Sequence, residues 1–312
     1  MNILVTGSIA YDTIMVFQDR FRNHLLADQL HILNVCFLTP EMRREYGGTA
    51  GNIGYNLRLL GEEPLVMATV GEDIEPYVQR LHHLGIGTGL LKRVPGQFTA
   101  QAFITTDLDD NQITAFHPGA MNYSHENHVV PGFAADIAII GPDGKEGMLQ
   151  HARECGQHGI AFLFDPGQGL PMFSVEELHE FLRLADYVAV NDYEGKLLEE
   201  KTGQSLEELA RQVKALVCTL GSKGSLILAG GERHQIPSVR ADAVVDPTGC
   251  GDAYRAGLLY GIARGWDWPT TGKLGSLLGA IKIEQRGAQN HAPTRAEIET
   301  RFRGAFGYSP WR

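Results

Sequence analysis

The sequence predicts an α/β fold in which helices cover both faces of a mostly parallel β-sheet. From about residue 137 onwards, short apolar runs suited to strands alternate with helical stretches, which is the pattern of a buried parallel sheet. Glycines cluster at the ends of the apolar runs, where loops can bring backbone close to a ligand. Two extended regions nearer the N-terminus do not fit this alternation, and they predict a small second β-sheet.

The charge and composition of the chain limit its partners and its location. Lys and Arg number 27 against 37 Asp and Glu, a formal net charge of −10 over 312 residues. This balance disfavours nucleic acid and membranes as partners, because anionic surfaces are bound by basic ones. No apolar run reaches the roughly 20 residues that span a bilayer, the N-terminus does not read as a signal peptide, and four scattered cysteines read as reduced thiols. We expect a cytoplasmic protein with a single domain over residues 1–312.

The N-terminal part of the main domain is predicted from its apolar periodicity. A strand is expected at residues 3–5, a helix opens at the glycine-rich residues 47–52, and another strand follows at 64–70. Apolar residues at helical spacing then predict a helix over 74–84, with Asp73 as its N-cap.

The small sheet is predicted from four extended stretches, at residues 9–17, 30–38, 99–106 and 112–116. The last two flank a short polar turn and are predicted to form a hairpin. The regions of about 9–38 and 99–118 are therefore expected to form a β lid subdomain. Ligands of α/β proteins bind outside the carboxyl ends of the strands, which is where such a lid would lie.

The C-terminal half is predicted to supply most of the main sheet. Its expected strands are 137–140, 160–164, 187–190 and 216–219. Its expected helices include 176–185, 206–214, 253–264 and 273–284. An antiparallel hairpin of 226–229 and 233–237 is expected at one edge of the sheet.

The strongest chemical signal is the run from Asp246 to Asp252, which leads directly into an amphipathic helix. Gly249 and Gly251 leave backbone N–H groups exposed at the helix N-terminus, where the helix dipole also favours an anion. Asp252 would lie beside that anion, where a carboxylate is useful if it accepts a proton. The alternative is an ordinary N-cap or first-turn acid at a glycine-rich turn.

Two weaker signals each follow a predicted strand. The turn at residues 219–224 can approach a nucleotide through Thr219 and Lys223, although a plain strand–turn–strand hairpin is the better explanation of this segment taken alone. Asn191 and Glu194 can hold a hydrated magnesium ion, although a helix N-cap with an acidic first turn is the alternative. No segment reads GxxxxGK[ST] or GxGxxG after a strand, so a nicotinamide-dependent oxidoreductase is a weak competitor.

Four motifs follow one another along the chain: Gly47-Gly48…Asn52, Asn191-x-x-Glu194, Thr219-x-Gly221-x-x-Gly224 and Asp246-x-Thr248-Gly249-x-Gly251-Asp252. Their order and spacing resemble the motif set of the ribokinase/PfkB carbohydrate kinase family over essentially the whole chain. Pro247 and Cys250 depart from the family, in which threonine and alanine are more usual at these positions. The resemblance implies a Rossmann-like (ribokinase-like) domain with a β lid that transfers a phosphoryl group from ATP to a sugar hydroxyl.

The resemblance also implies a role for each matching residue. Asp252 would be the general base, with an ordinary low pKa. The amides of Gly249, Cys250 and Gly251 would stabilise the charge of the transferred group. The residues implied to bind ATP are Asn191, Thr219, Gly221, Lys223 and Gly224. Glu194 would hold Mg²⁺ through water, and a monovalent cation such as K⁺ would lie near Asp246 and the loop of residues 286–289.

The acceptor is expected at Asp12, Gly48 and Asn52, which match sugar-binding positions of the family. Segments including residues 107–121 are similar to bacterial and archaeal adenosine and nucleoside kinases. Phe116 and Met121 would give a purine base an apolar shelf. The expected function is therefore ATP-dependent phosphorylation of the 5′-hydroxyl of a nucleoside, adenosine first, by a monomer or homodimer. A kinase of ribose, fructose or a phosphorylated hexose is the alternative, followed by a non-catalytic nucleoside- or sugar-binding regulator.

Overall fold

The computed structural model describes residues 1–25, 34–109, 111–130, 132 and 135–311. Within these residues the strands are β1 (Ile3–Thr6), β2 (Ala10–Val16), β3 (Glu41–Gly47), β4 (Leu65–Val70), β5 (Leu91–Arg93), β6 (Ala100–Thr106), β7 (Gln112–His117), β8 (Ile137–Ile140), β9 (Phe162–Phe164), β10 (Tyr187–Asn191), β11 (Ala215–Thr219), β12 (Ser225–Ala229) and β13 (Glu232–Ile236). The α-helices are α1 (Thr49–Leu59), α2 (Glu75–His83), α3 (Lys145–His158), α4 (Val175–Leu184), α5 (Asp192–Thr202), α6 (Leu206–Ala210), α7 (Cys250–Ala263), α8 (Trp268–Ile283) and α9 (Arg295–Phe306). None of these helices is long and apolar enough to cross a membrane.

The main sheet has the strand order β13-β12-β11-β10-β9-β8-β1-β4-β5. Neighbouring strands from β11 to β5 pair in parallel, and only β11, β12 and β13 pair antiparallel among the described strands of this sheet. The predicted α/β class is confirmed, and so is the predicted hairpin at one edge of the sheet.

Alternate residues of the central strand β1 point to opposite faces of the main sheet and enter two separate cores. Ile3 and Val5 pack with residues of α1, α7 and α8, whereas Leu4 packs with residues of α3, α4 and α5. All three side chains are fully buried. A strand that is buried on both faces reads as a continuous apolar run, which is why the sequence marks this strand clearly.

The second sheet has the strand order β3-β2-β6-β7. β6 and β7 form the predicted antiparallel hairpin, and β2 lies within the extended run predicted at 9–17. The strand predicted at 30–38 is wrong where the structure describes it, because residues 34–38 form no strand; residues 30–33 lie outside the described part. Residues 41–47 form the outer strand instead, and their charged sequence EMRREYG suits an edge strand that apolar runs cannot reveal.

The ends of several elements differ from the sequence prediction. Asp73 does not cap α2; its Oδ1 accepts a hydrogen bond from the Thr99 amide at 2.7 Å, which ties α2 to the start of β6. The helix predicted at 206–214 ends at Ala210. The short strand β5 and the final helix α9 were not predicted.

Helix α7, whose N-terminus carries the Asp246–Asp252 motif, packs closely against α8 through glycine. A Cβ added at Gly257 of α7 would lie 2.6 Å from the backbone nitrogen and Cα of Gly275 on α8. By contrast, a Cβ at Gly279 of α8 would make only an ordinary contact, at 3.6 Å from the Cys250 carbonyl oxygen. The backbone-to-backbone contact at Gly257 therefore sets how deeply α7 is seated.

We predict that Gly257→Ala lowers the free energy of unfolding by about 1–3 kcal/mol, because the added methyl group forces α7 and α8 apart. Gly279→Ala is the matched control. It should be neutral or stabilise by up to about 1 kcal/mol, since alanine favours a helix more than glycine does. Urea denaturation of both variants measures the difference, and equal stabilities would contradict the proposed contact.

Candidate active site

Three of the sequence-predicted residues, Asp12, Asn52 and Asp252, come together where the second sheet faces the carboxyl ends of the main-sheet strands. The anion loop, residues 246–251, ends at the N-terminus of α7, where Gly249 takes the left-handed conformation with φ +80°. The Cys250 amide donates to the Pro247 carbonyl at 3.1 Å and is used within the loop. No described residue accepts a hydrogen bond from the amides of Gly251 and Asp252, so these two donors are open to an anion.

Asp252 is held by a chain of hydrogen bonds that begins on α1. The Asn52 amide nitrogen donates to Asp252 Oδ2 at 2.8 Å. Gln289 Nε2 donates to Asn52 Oδ1 at 3.0 Å and to the Tyr77 hydroxyl at 2.6 Å. Because the Asn52 side-chain oxygen accepts the hydrogen bond from Gln289, the side-chain nitrogen of Asn52 must face Asp252.

The Asp252 carboxyl is far more basic than the sequence suggested. Burial raises its pKa to about 7, and the nearby carboxylates of Asp165 and Asp12 also raise it. The Asn52 hydrogen bond and the Arg255 charge lower it, but they do not compensate for the loss of water. The expected ordinary pKa was wrong for this reason. A carboxyl that titrates near neutrality is well suited to accept a proton.

Asp12 lies on β2, facing the same region. Burial raises its pKa to about 6, with smaller contributions from Glu45 and Asp246. Cross-strand pairing places Asp12 beside Ala102 on β6, and Ala102 beside Phe116 on β7. Residues paired in this way share one face of a sheet, so Asp12 and the half-exposed Phe116 look into the same space, roughly 10 Å apart.

Gly48 and Met121 occupy different surroundings. Gly48 has φ +84°, and a Cβ there would lie 2.5 Å from the Ala10 backbone nitrogen. The backbone of residues 8–10 passes so close that position 48 must be glycine whether or not it contacts a substrate. Met121 is partly buried in the 3₁₀ segment Gly119–Glu126, which packs against β4 and α3.

Asn191 and Glu194 form a capping box at the start of α5. The Glu194 amide donates to Asn191 Oδ1 at 2.8 Å, and the Asn191 amide donates to Glu194 Oε2 at 2.8 Å. No described residue donates a hydrogen bond to Glu194 Oε1. The capping alternative therefore holds for Asn191, while Glu194 keeps one oxygen available.

Arg255 and Asp165 form a buried ion pair that the sequence analysis missed. Arg255 Nε and Nη2 donate to the two oxygens of Asp165 at 2.9 and 3.1 Å, and Nη2 also lies 3.8 Å from Glu194 Oε2. Arg255 is three residues after Asp252 on α7, and Asp165 directly follows β9. Helical spacing and the rule that ligands bind at the carboxyl ends of strands were the two signals that could have identified them.

The turn after β11 is tightly built into the hairpin with β12. Thr219 Oγ1 donates to the Val190 carbonyl at 3.4 Å, and the Lys223 side chain is exposed. Gly224 has φ +88°, and a Cβ there would overlap the Ile236 carbonyl oxygen. Gly221 also has positive φ, +57°, but nothing lies within 4 Å of its Cβ position. The packing of the hairpin thus requires glycine at position 224, whereas a side chain at position 221 would extend into open space.

The site offers little to bind a metal tightly. Among the described residues, no group of three or more His, Cys, Asp or Glu is arranged to hold a metal ion. Glu194 Oε1 fits a hydrated Mg²⁺ contacted through water, since Mg²⁺ usually keeps several waters in nucleotide sites. Asp246 is different: its Oδ1 and Oδ2 accept the amides of Thr248 and Gly287 at 2.9 and 2.8 Å.

Known proteins resemble this chain in sequence and in fold. Residues 9–295 match the model of the family described as pfkB family carbohydrate kinase. A Burkholderia thailandensis nucleoside kinase in complex with inosine has a TM-score of 0.90 and 54% identity, covering 99% of this chain and 99% of that chain. Its complex with ADP-inosine has a TM-score of 0.88 and 55% identity, covering 99% and 97%. A nucleoside kinase of Methanocaldococcus jannaschii is 32% identical over 86% of this chain and 89% of the relative.

The two glycines of the turn after β11 allow a matched test. Gly224→Ala is expected to lower the free energy of unfolding by roughly 3 kcal/mol or more, because strain and overlap add. Gly221→Ala should cost only about 1 kcal/mol, for the strained φ alone. Thermal or urea denaturation compares the two variants.

If Gly221 also lets the turn approach ATP, its alanine variant should raise the KM for ATP several-fold while the protein remains folded. An unchanged KM would remove Gly221 from the predicted ATP-binding set.

Proposed function

Because the chain belongs to the pfkB family of carbohydrate kinases and is a phosphotransferase that acts on a hydroxyl group, we propose that it phosphorylates the 5′-hydroxyl of a purine nucleoside with ATP. Adenosine and inosine are the two candidate substrates. The single observation that carries the proposal is the convergence of Asp12, Phe116 and Asp252 on one space, in which a ribose and its base can lie together.

Asp252 is proposed as the general base. Its pKa of about 7 lets it exist as a carboxylate at neutral pH and still hold a proton taken from the 5′-hydroxyl. Asn52 donates to Oδ2, which leaves Oδ1 to accept the hydroxyl. The hydrogen-bond chain through Gln289 keeps Asn52, and therefore Asp252, in one orientation before the substrate arrives.

The second sheet is proposed to bind the nucleoside. The Asp12 carboxylate can accept hydrogen bonds from the ribose hydroxyls, because a vicinal diol offers two donors. Phe116 shares the face of Asp12 across two strand spacings, which suits a base attached to the ribose. Stacking on an aromatic ring contributes about 1–3 kcal/mol for each base.

The phosphate groups of ATP are proposed to meet the anion loop. The open amides of Gly251 and Asp252 and the dipole of α7 favour negative charge, and charge on the transferred phosphoryl oxygens is the main barrier to be lowered. Glu194 is proposed to hold Mg²⁺ through water, and the ion would neutralise phosphate charge when bound. Arg255 keeps Glu194 and Asp165 compensated in the buried region behind α7.

The proposal is tested by ADP release from ATP and Mg²⁺ with adenosine, inosine, guanosine, cytidine, ribose, fructose and fructose 6-phosphate. A purine nucleoside is expected to have the highest kcat/KM. Phe116→Ala should raise the KM for that nucleoside about 5- to 150-fold, the equivalent of one lost stacking contact, and should leave the KM for ribose unchanged.

Ile113→Ala is the matched control, because Ile113 is on the same strand, similarly exposed and on the opposite face. Preference for a free sugar would keep the chemistry and overturn the substrate. No turnover with any acceptor, while nucleoside and ATP still bind, would favour a non-catalytic binding protein.

Asp252→Asn is expected to reduce kcat by about 10²–10⁴-fold, because no group replaces the base. The variant should at the same time be more stable than the wild type at pH 8. A carboxyl whose pKa is raised by folding destabilises the native state whenever it is ionised, and asparagine removes that charge. Loss of both activity and thermal stability would contradict this assignment.

The pH profile of kcat/KM should show the titration of Asp252. Activity should be constant above pH 7 and fall about tenfold per pH unit as the pH drops below about 7, since protonation removes the base. Asp12 adds a second proton below about pH 6 and steepens the fall. In Asp12→Asn the acidic limb of the profile should shift to lower pH, because a charge that raises the pKa of Asp252 is gone. An acidic limb at the same pH as in the wild type would show that the two carboxylates do not interact.

A further inference from the structure

Lys282 is a fully buried lysine beneath the anion loop, and the proposed phosphoryl transfer leaves it without a role. It is the penultimate residue of α8 and has no solvent exposure. Its Nζ donates to the main-chain carbonyls of Asp246 at 2.7 Å and Gln285 at 3.0 Å. A lysine is almost never fully buried unless its ammonium is well paired.

The residues around Asp246 do not fit the monovalent cation that the family resemblance implies. Metal cations of this kind are held by carbonyl and carboxylate oxygens. Here every oxygen of Asp246 already accepts a hydrogen bond: the carbonyl from Lys282, Oδ1 from the Thr248 amide and Oδ2 from the Gly287 amide. The Asp246 amide itself donates to the Ile283 carbonyl at 3.1 Å.

We propose that the Lys282 ammonium is the built-in cation of the anion loop, so that this protein needs no K⁺ or other monovalent cation for activity. An ammonium group carries one positive charge and three N–H donors, and it contacts carbonyl oxygens as a bound metal ion would. Because the chain tethers it, its occupancy does not depend on the salt concentration. This inference rests on the proposed kinase function only where activity is measured; ADP binding and melting temperature test it independently.

The position of Lys282 connects it to both halves of the catalytic arrangement. Gly249 of the anion loop packs against Ala288, since a Cβ at Gly249 would lie 2.8 Å from the Ala288 Cβ. The same segment after α8 carries Gln285, which Lys282 contacts, and Gln289, which orients Asn52. Lys282 thus fastens the loop that receives phosphate to the loop that positions the base.

The electrostatic surroundings of Lys282 are consistent with a charge under the start of α7. Burial lowers the pKa of Lys282, whereas the Asp246 carboxylate opposes that effect. The lysine charge in turn lowers the pKa of the Cys250 thiol at the first residue of α7, although burial still raises that pKa to about 11. A positive charge here adds to the helix dipole and favours bound phosphate.

The first experiment uses the unmodified protein. Turnover, ADP affinity by calorimetry and melting temperature are measured in KCl, NaCl, NH₄Cl and tetramethylammonium chloride at equal ionic strength. Tetramethylammonium is too large for a carbonyl-lined ion site and serves as the blank. Turnover and ADP affinity should each agree within about twofold between salts, and K⁺ should not raise the melting temperature above that in tetramethylammonium. Activation of turnover by K⁺ of about tenfold, a difference of 1.4 kcal/mol, would overturn the proposal.

The second experiment uses Lys282→Met, which keeps the length of the side chain and removes its charge. In tetramethylammonium we expect kcat and ADP affinity to fall about 5- to 30-fold, the upper range for one charge acting at a partly buried helix terminus. K⁺ or NH₄⁺ should then restore a part of both. A purely structural role predicts the same loss in every salt, and that result would contradict the proposal.

Lys273→Met is the matched control. Lys273 is on the same helix, but its Nζ lies over the rings of Phe306 and Tyr308, away from the anion loop. This variant should behave as the wild type in every salt. If Lys282→Met does not fold, the salt series on the unmodified protein decides. If no acceptor is phosphorylated in any salt, the proposed function fails, while ADP binding and melting still test Lys282.

Discussion

The need to compensate carboxylates buried around the N-terminus of α7 is the constraint on which the rest of the structure depends. Asp165 and Asp252 lie in a region from which water is largely removed, and an uncompensated charge there would cost several kcal/mol. Arg255 from α7 and Asn52 from α1 supply donors to them. The glycine contacts that seat α7 against α8 serve this arrangement, because a small displacement of α7 would separate the charges from their partners.

The charge of Asp252 is only partly compensated, and the base role proposed for Asp252 depends on this. A full set of donors would return its pKa to an ordinary value and make it a poor acceptor for a hydroxyl proton. The Asp165 and Asp12 charges oppose the single hydrogen bond from Asn52, and burial does the rest. The unpaired charge makes Asp252 reactive and lowers the stability of the native state, while Arg255 keeps the neighbouring Asp165 paired.

The sequence predicts the parts of the fold that depend on local pattern. The central strands are buried on both faces and read as apolar runs, so β1 and β8 were found; β3 was missed because an edge strand can be charged. The motif residues of the proposed site can also be picked out in the sequence. Helical spacing places Arg255 beside Asp252, but neither it nor Lys282 was identified, because their partners Asp165 and Asp246 are distant in sequence and only the fold brings them together.

The order of strands in the second sheet has a consequence for how the protein is synthesised. β2 pairs in parallel with β6, which begins some 90 residues later in the chain, so this sheet cannot close by local contacts. The contact between Asn52 and Gln289 forms later still, because these residues are 237 positions apart. A chain emerging from the ribosome therefore completes the second sheet, the proposed nucleoside-binding surface, well before Gln289 can orient Asn52. A nascent chain that contains the anion loop but not yet Gln289 would hold both proposed binding surfaces without an oriented Asn52 between them.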